Sequence, residues 1–148
     1  MVLRVILALL AGLAALVASF VGLIWLVFDQ ILAAGLTQVA GAPAQTLAQK
    51  TWIETLTVYG THVALALSFL TGSLVAGWIA RGWEVPTTLI LWLALTLTLI
   101  TVSTDMAAFT PLSLIATTLP AVGVGGGAFR LWRRWRADRA ARAQLAVF

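Results

Sequence analysis

Apolar residues occur in four long runs along the chain, and polar residues are concentrated between these runs and at the C-terminal end. The runs cover about residues 2–28, 58–80, 86–104 and 110–129. A helix of about 20 residues crosses the roughly 30 Å hydrocarbon layer of a bilayer, so each run is close to the length of a membrane span. The pattern predicts an all-α integral membrane protein with four transmembrane helices.

The overall composition supports a membrane location. Hydrophobic residues make up 61% of the chain and charged residues only 9%. A water-soluble domain of 148 residues could not bury so much apolar surface. The length leaves room for a single membrane domain over residues 1–148, and the absence of cysteine excludes disulfides and thiolate metal sites.

The only substantial loop that the pattern predicts covers residues 29–57. Glycines and Pro43 interrupt helix there, whereas the residues that follow Pro43 are good helix formers. A short helix in this segment would either lie on the membrane surface or extend the second span. The sequence does not choose between these two arrangements.

Prolines mark the expected starts of the last two helices. Pro86 follows a tight turn over 81–85 and is predicted to start the third helix, while Thr110 and Pro111 resemble the cap and first residue of the fourth. Pro120 lies inside the fourth run, where a missing amide donor should kink the helix near Ala116.

The distribution of basic residues predicts the orientation of the chain. Eight of the nine lysines and arginines fall on one side of a four-span arrangement, and Lys50 falls on the other. Basic residues are enriched in cytoplasmic segments, so we expect an up-down-up-down protein with both termini cytoplasmic and the 29–57 loop extracytoplasmic. The alanine, leucine and arginine bias suggests a bacterial source. We therefore expect a multi-pass protein of the bacterial inner (plasma) membrane.

Small residues recur at a spacing that places them on one helix face. In the second run they occur every four residues, and the fourth run contains a similar glycine pair; the candidate packing positions are Gly60, Ala64, Ser68, Gly72, Ala76, Gly123 and Gly127. Such ridges allow two membrane helices to approach closely. Whether the partner helix belongs to the same chain or to another subunit stays open.

A basic, tryptophan-containing tail covers residues 130–148. Its first turns are predicted to contact lipid headgroups through Arg130, Trp132, Arg133, Arg134, Trp135 and Arg136. Anionic lipid at the cytoplasmic face is the expected partner, with docking to a cytoplasmic protein as the alternative, and nucleic acid is not expected.

His62 is the one ionisable residue placed inside a predicted span. A neutral imidazole there could ligate the metal of a haem or a chlorophyll-type pigment, or hydrogen-bond a quinone. The alternative is a structural hydrogen bond to a neighbouring helix or to interfacial water. No cofactor is predicted apart from bound lipid, and no metal site, because the chain offers no second histidine and no cysteine.

These patterns predict a noncatalytic accessory or scaffold subunit of a larger integral-membrane complex, with other membrane subunits as partners. The sequence offers neither a nucleophile paired with a base nor a set of metal ligands, so it gives no indication of an enzyme. One alternative is a self-assembling pore, small transporter or holin-like permeabiliser, although membrane threonines such as Thr96 and Thr98 can satisfy their hydroxyls on their own backbone. Another alternative is a pigment- or haem-binding subunit through His62.

Overall fold

The computed structural model describes residues 2–36, 47–102 and 110–145 of the chain. Within these ranges it contains no β-strand and has four α-helices, namely α1 (Val2–Leu36), α2 (Leu47–Ile79), α3 (Glu84–Val102) and α4 (Pro111–Leu145). Each helix includes a segment long and apolar enough to cross a membrane. The predicted all-α chain with four candidate spans is therefore confirmed.

The first two helices are longer than the hydrophobic runs. α1 continues to Leu36 and α2 already begins at Leu47. The structure thus corrects the predicted loop at residues 29–36, which continue α1. Residues 47–57 extend the second helix, which is one of the two arrangements that the sequence left open, and residues 37–46 lie outside the described part. Hydropathy marks the expected end of a span, whereas a helix continues for as long as its residues tolerate the conformation.

The turn between α2 and α3 is tight and requires a glycine. Gly82 has a φ of 91°, and the amide of Trp83 donates to the carbonyl of Ala80 over 2.9 Å. α3 then begins at Glu84, two positions before the predicted start at Pro86. Proline fits within the first helical turn because the amides of that turn have no partner inside the helix.

The start of α4 matches its prediction. The hydroxyl of Thr110 accepts the amide of Ser113 over 3.2 Å, and the Thr110 carbonyl accepts the amide of Leu114 over 3.1 Å. Thr110 is therefore the N-cap and Pro111 the first helical residue. α4 then runs without interruption through Pro120 into the basic tail.

α1 and α2 form the most extensive helix pair and run antiparallel. Near one end, Gly12 lies against Gly72 and Ala76; towards the other end, Gly60 lies against Val27. A Cβ added at Gly72 would lie 2.8 Å from the carbonyl oxygen of Gly12. This backbone-to-backbone approach depends on small residues in both helices.

α4 packs against both α2 and α3. Gly125 lies against Ser73 of α2, while the indole Nε1 of Trp92 in α3 donates to the hydroxyl of Thr118 over 2.9 Å. The buried apolar centre of the bundle consists of Leu16, Leu65, Phe69, Leu114 and Val122. Large apolar side chains cover much of the outer surface as well, which suits a chain whose solvent is lipid.

Candidate functional site

A charged contact joins the start of α3 to the tail part of α4. The guanidinium of Arg133 forms an ion pair with the carboxylate of Glu84. The same carboxylate accepts the amide of Gly82 over 3.0 Å, so the α2–α3 turn fixes its position. The Glu84 side chain is only 9% exposed, and an ion pair with so little water is screened less than a surface pair.

Two adjacent glycines bring Arg133 to this position. A Cβ added at Gly125 would lie 2.6 Å from the Cβ of Ser73, and one added at Gly126 would lie 2.6 Å from the hydroxyl oxygen of Thr88. Real side chains do not approach so closely, so α4 can contact α2 and α3 in this way only with glycine at both positions. Arg133 follows two turns later on the same side of α4.

The tail helix carries two stacked cation–aromatic pairs. The guanidinium carbon of Arg136 lies 4.2 Å from the centre of the Trp132 ring, and that of Arg139 lies 3.9 Å from the centre of the Trp135 ring. Each pair is separated by four residues, which brings the two side chains onto one face. These contacts hold the two arginines in a preferred orientation along the helix.

A cleft of about 540 Å³ opens beside the ion pair, and we call it the basic cleft. Its walls combine guanidinium groups with aromatic rings from α2, the α2–α3 turn and α4: Trp78, Arg81, Phe129, Trp132, Arg133 and Arg136. Next to it lies a second cleft of about 540 Å³, the apolar cleft, lined by Trp78, Ala128, Phe129 and Trp132. Three aromatic residues line both clefts, so the two lie side by side.

The N-terminal basic residue lies at the same end of the bundle. Arg4 of α1 and Arg81 line a third cleft of about 720 Å³, together with Leu3 and Trp83. Because Arg81 lines this cleft and the basic cleft, Arg4, Arg81 and Arg133 share one end of the molecule. Residues distant in sequence thus form one basic region.

The small-residue ridge of α2 is used inside the chain. The ridge members Ala64, Ser68 and Ala76 are buried. Gly72 packs against α1, and a Cβ added at Gly60 would lie 3.2 Å from the side chain of Val27. At Gly60, Gly72 and Ala76, the partner that the sequence left open is α1 of the same chain.

The second predicted pair, Gly123 and Gly127, is placed differently. A Cβ added at either position would meet no atom within 4 Å. The two glycines share a face of α4 with Ala116 and Pro120, on the side opposite Thr118 and other buried residues. Contact of this face with another chain stays a prediction.

His62 lies in α2 and is partly exposed. Its Nδ1 is 2.7 Å from the carbonyl oxygen of Val58, one turn earlier, and donates to it when that nitrogen carries the proton. This is a local helix contact of the kind expected for a structural histidine. Among the residues described, no three histidine, cysteine or acidic side chains are grouped as metal ligands.

The six predicted lipid-headgroup residues do not form a single surface. Trp132, Arg133 and Arg136 line the basic cleft, whereas Arg130, Arg134 and Trp135 do not. Sequence reasoning missed Trp78 and Arg81, which complete the cleft from α2 and the following turn. Their position at the end of a span could have marked them as interfacial residues. The sequence does not show that they lie next to the tail.

The comparisons with known proteins add no relative. The sequence matches no protein family, and no curated protein or solved structure is similar to it. The function is therefore inferred from the geometry of this chain.

Proposed function

We propose that the chain is a noncatalytic accessory or scaffold subunit of an integral-membrane complex. The observation that carries this proposal is the open face of α4 around Gly123 and Gly127, where an added Cβ meets no atom within 4 Å. The neighbouring Gly125 and Gly126 already pack against other helices of the same chain. The glycine-rich segment thus offers a second, unused face on which a membrane helix could approach closely.

The shape of this face supports a helix as its occupant. Ala116, Pro120, Gly123 and Gly127 follow one another at intervals of four and three residues, so they form a shallow groove along α4. Lipid tails gain nothing special from such a groove, whereas a partner helix gains close van der Waals contact along its length. The partner that we propose is another integral-membrane subunit.

We further propose that the basic end faces the cytoplasm, with both termini on that side and an up-down-up-down path through the membrane. The clustering of Arg4, Arg81 and the tail arginines at one end supports this orientation. The composition favours the inner membrane of a bacterium. The absence of native cysteine makes the orientation directly testable.

The orientation is tested with single cysteines introduced by Ala44→Cys and Ala140→Cys. An impermeant maleimide added to intact cells should label the first, and only opened cells should allow labelling of the second. Labelling of both positions from the same side contradicts the proposed path.

The pore and pigment alternatives have weaker support. Thr98 donates its hydroxyl to the carbonyl of Ala94 over 2.8 Å, as predicted, whereas the buried hydroxyl of Thr96 makes no hydrogen bond within the described residues. His62 makes a local contact with Val58. Neither observation favours ion passage or cofactor ligation over the accessory role.

The accessory role is tested by extracting the full chain from its native membranes in digitonin. Native gel electrophoresis and mass spectrometry should find it in a complex with another membrane protein, and Gly127→Leu should shift it to the free form. Gly22→Leu is the matched control, because an added Cβ there also meets no atom within 4 Å but lies on α1.

Two results contradict the proposal. One is a complex that survives Gly127→Leu as well as it survives Gly22→Leu. The other is a wild-type chain that purifies only with copies of itself and releases ions from liposomes, which would favour the pore.

A further inference from the structure

We propose that the basic cleft and the apolar cleft together bind one anionic phospholipid. Its phosphate would lie among Arg81, Arg133 and Arg136, and the first part of an acyl chain would follow the apolar cleft along Ala128. The two clefts share Trp78, Phe129 and Trp132 and each measure about 540 Å³. A charged cleft directly beside an apolar one matches the amphipathic shape of a lipid.

The charge of the basic cleft selects an anion. Three guanidinium groups line it, and within the part of the chain that the structure describes, Arg133 alone among them is paired with a carboxylate, that of Glu84. Arg81 and Arg136 therefore leave an excess of positive charge facing the cleft. Guanidinium groups bind phosphate oxygens through two parallel hydrogen bonds, and a zwitterionic headgroup would add an unfavourable ammonium to the same space.

Stacking prepares one of these arginines for binding. The guanidinium of Arg136 lies 4.2 Å from the centre of the Trp132 ring, which holds the group beside the cleft. The ion pair with Glu84 similarly restrains Arg133. Two of the three groups are thus oriented before a ligand arrives, which lowers the entropic cost of binding.

The position along the membrane normal fits a lipid. The candidate span of α2 ends at Ile79 and that of α3 begins at Glu84, so the turn carrying Arg81 lies where the chain leaves the hydrocarbon. Tryptophan is typical of this interface, and Trp78 and Trp132 line both clefts. A free phosphate would leave the apolar cleft unfilled, so the geometry favours the lipid over the soluble anion.

The test uses the full chain purified in a neutral detergent, with native mass spectrometry to measure bound lipid. Dioleoyl phosphatidylglycerol should bind in a single tight copy, and dioleoyl phosphatidylcholine should bind much more weakly. The double variant Arg81→Gln/Arg136→Gln should lose about tenfold or more in affinity for phosphatidylglycerol. The inference is independent of the accessory role, because the isolated chain is measured.

A matched control removes the same charge elsewhere. Arg134 and Arg142 are exposed and lie outside the cleft, so Arg134→Gln/Arg142→Gln should retain the tight copy. Equal losses in the two double variants would mean general attraction to the tail and would overturn the site. Displacement of the lipid by millimolar inorganic phosphate would identify a free-anion site and would overturn it too.

A second variant tests the acyl part without changing charge. Ala128 is exposed and lines only the apolar cleft, so Ala128→Phe should obstruct the acyl chain and weaken binding. Ala137→Phe places the same side chain on the exposed tail and should bind like the wild type. Unchanged binding in Ala128→Phe would contradict the proposed path of the acyl chain.

Discussion

Arg133 in the tail part of α4 is paired with Glu84 in the first turn of α3. The carboxylate also lies at the N-terminal end of that helix, where the helix dipole favours negative charge. One side chain thereby accepts the amide of the preceding turn and forms an ion pair with the last helix. The contact connects the basic tail to the membrane bundle.

Glu84→Gln should destabilise the protein by about 1.5–3 kcal/mol, the usual loss for a hydrogen bond to a charged group. The amide oxygen can still accept from Gly82, so the loss reports on Arg133. The measurement is the free energy of unfolding by denaturant titration in detergent. Asp138→Asn, on the exposed tail, should change it little, and similar losses in both variants would argue against a structural role for the pair.

Gly72→Leu should cost about 1–3 kcal/mol of stability through overpacking. Its Cβ would lie 2.8 Å from both the Gly12 carbonyl oxygen and the Cβ of Leu16, and backbone cannot move aside cheaply. Thermal unfolding in detergent measures the effect. Gly22→Leu makes the same change where nothing lies within 4 Å, and it should retain wild-type stability. If both variants melt alike, the α1–α2 approach is not as close as described.

Trp92→Phe should cost about 0.5–1.5 kcal/mol because the hydroxyl of Thr118 loses the indole donor. Thr118 continues to donate to the carbonyl of Leu114 over 2.8 Å, so the local helix is preserved. Chemical denaturation with a far-ultraviolet readout measures the loss. Trp25→Phe removes an indole that is 68% exposed and should be milder. The reverse order would contradict an α3–α4 hydrogen bond.

His62→Gln should leave assembly and any optical spectrum of the purified protein unchanged. Glutamine keeps a hydrogen-bonding side chain at the position that contacts Val58 but removes the imidazole. Size-exclusion chromatography and absorption spectroscopy provide the measurements. A haem or chlorophyll band that disappears in the variant while the protein stays folded would assign His62 as a cofactor ligand.

Local features of the sequence predicted much of the fold. Hydropathy found the four helices, and Thr110 with Pro111 marked the start of α4 because capping depends on neighbours in the chain. The same reasoning ended α1 at Phe28, eight residues before its last residue, Leu36. The length of a hydrophobic run reflects the thickness of the membrane and not the length of the helix. No proline or glycine directly after Phe28 ends the helix there.

Contacts between distant segments could not be predicted from the sequence. Spacing showed that Gly72 belongs to a ridge, but the choice of α1 as its partner depends on how whole helices pack. Glu84 and Arg133 were visible as separate charges, and only the close approach of α4 at Gly125 and Gly126 joins them. The basic cleft was missed for this reason, since its walls come from separate helices.

The uninterrupted course of α4 into the tail has a mechanical consequence. From Arg130 to Leu145 the helix extends by about 22 Å beyond the glycine-rich segment, at about 1.5 Å per residue. A tilt of about 10° at that segment would displace the far end of the helix by about 4 Å, because the displacement grows with the length of the helix beyond the segment. A reorientation of α4 would therefore be converted into movement of the tail arginines beyond the Glu84–Arg133 pair, and most of all of Arg142 near the far end.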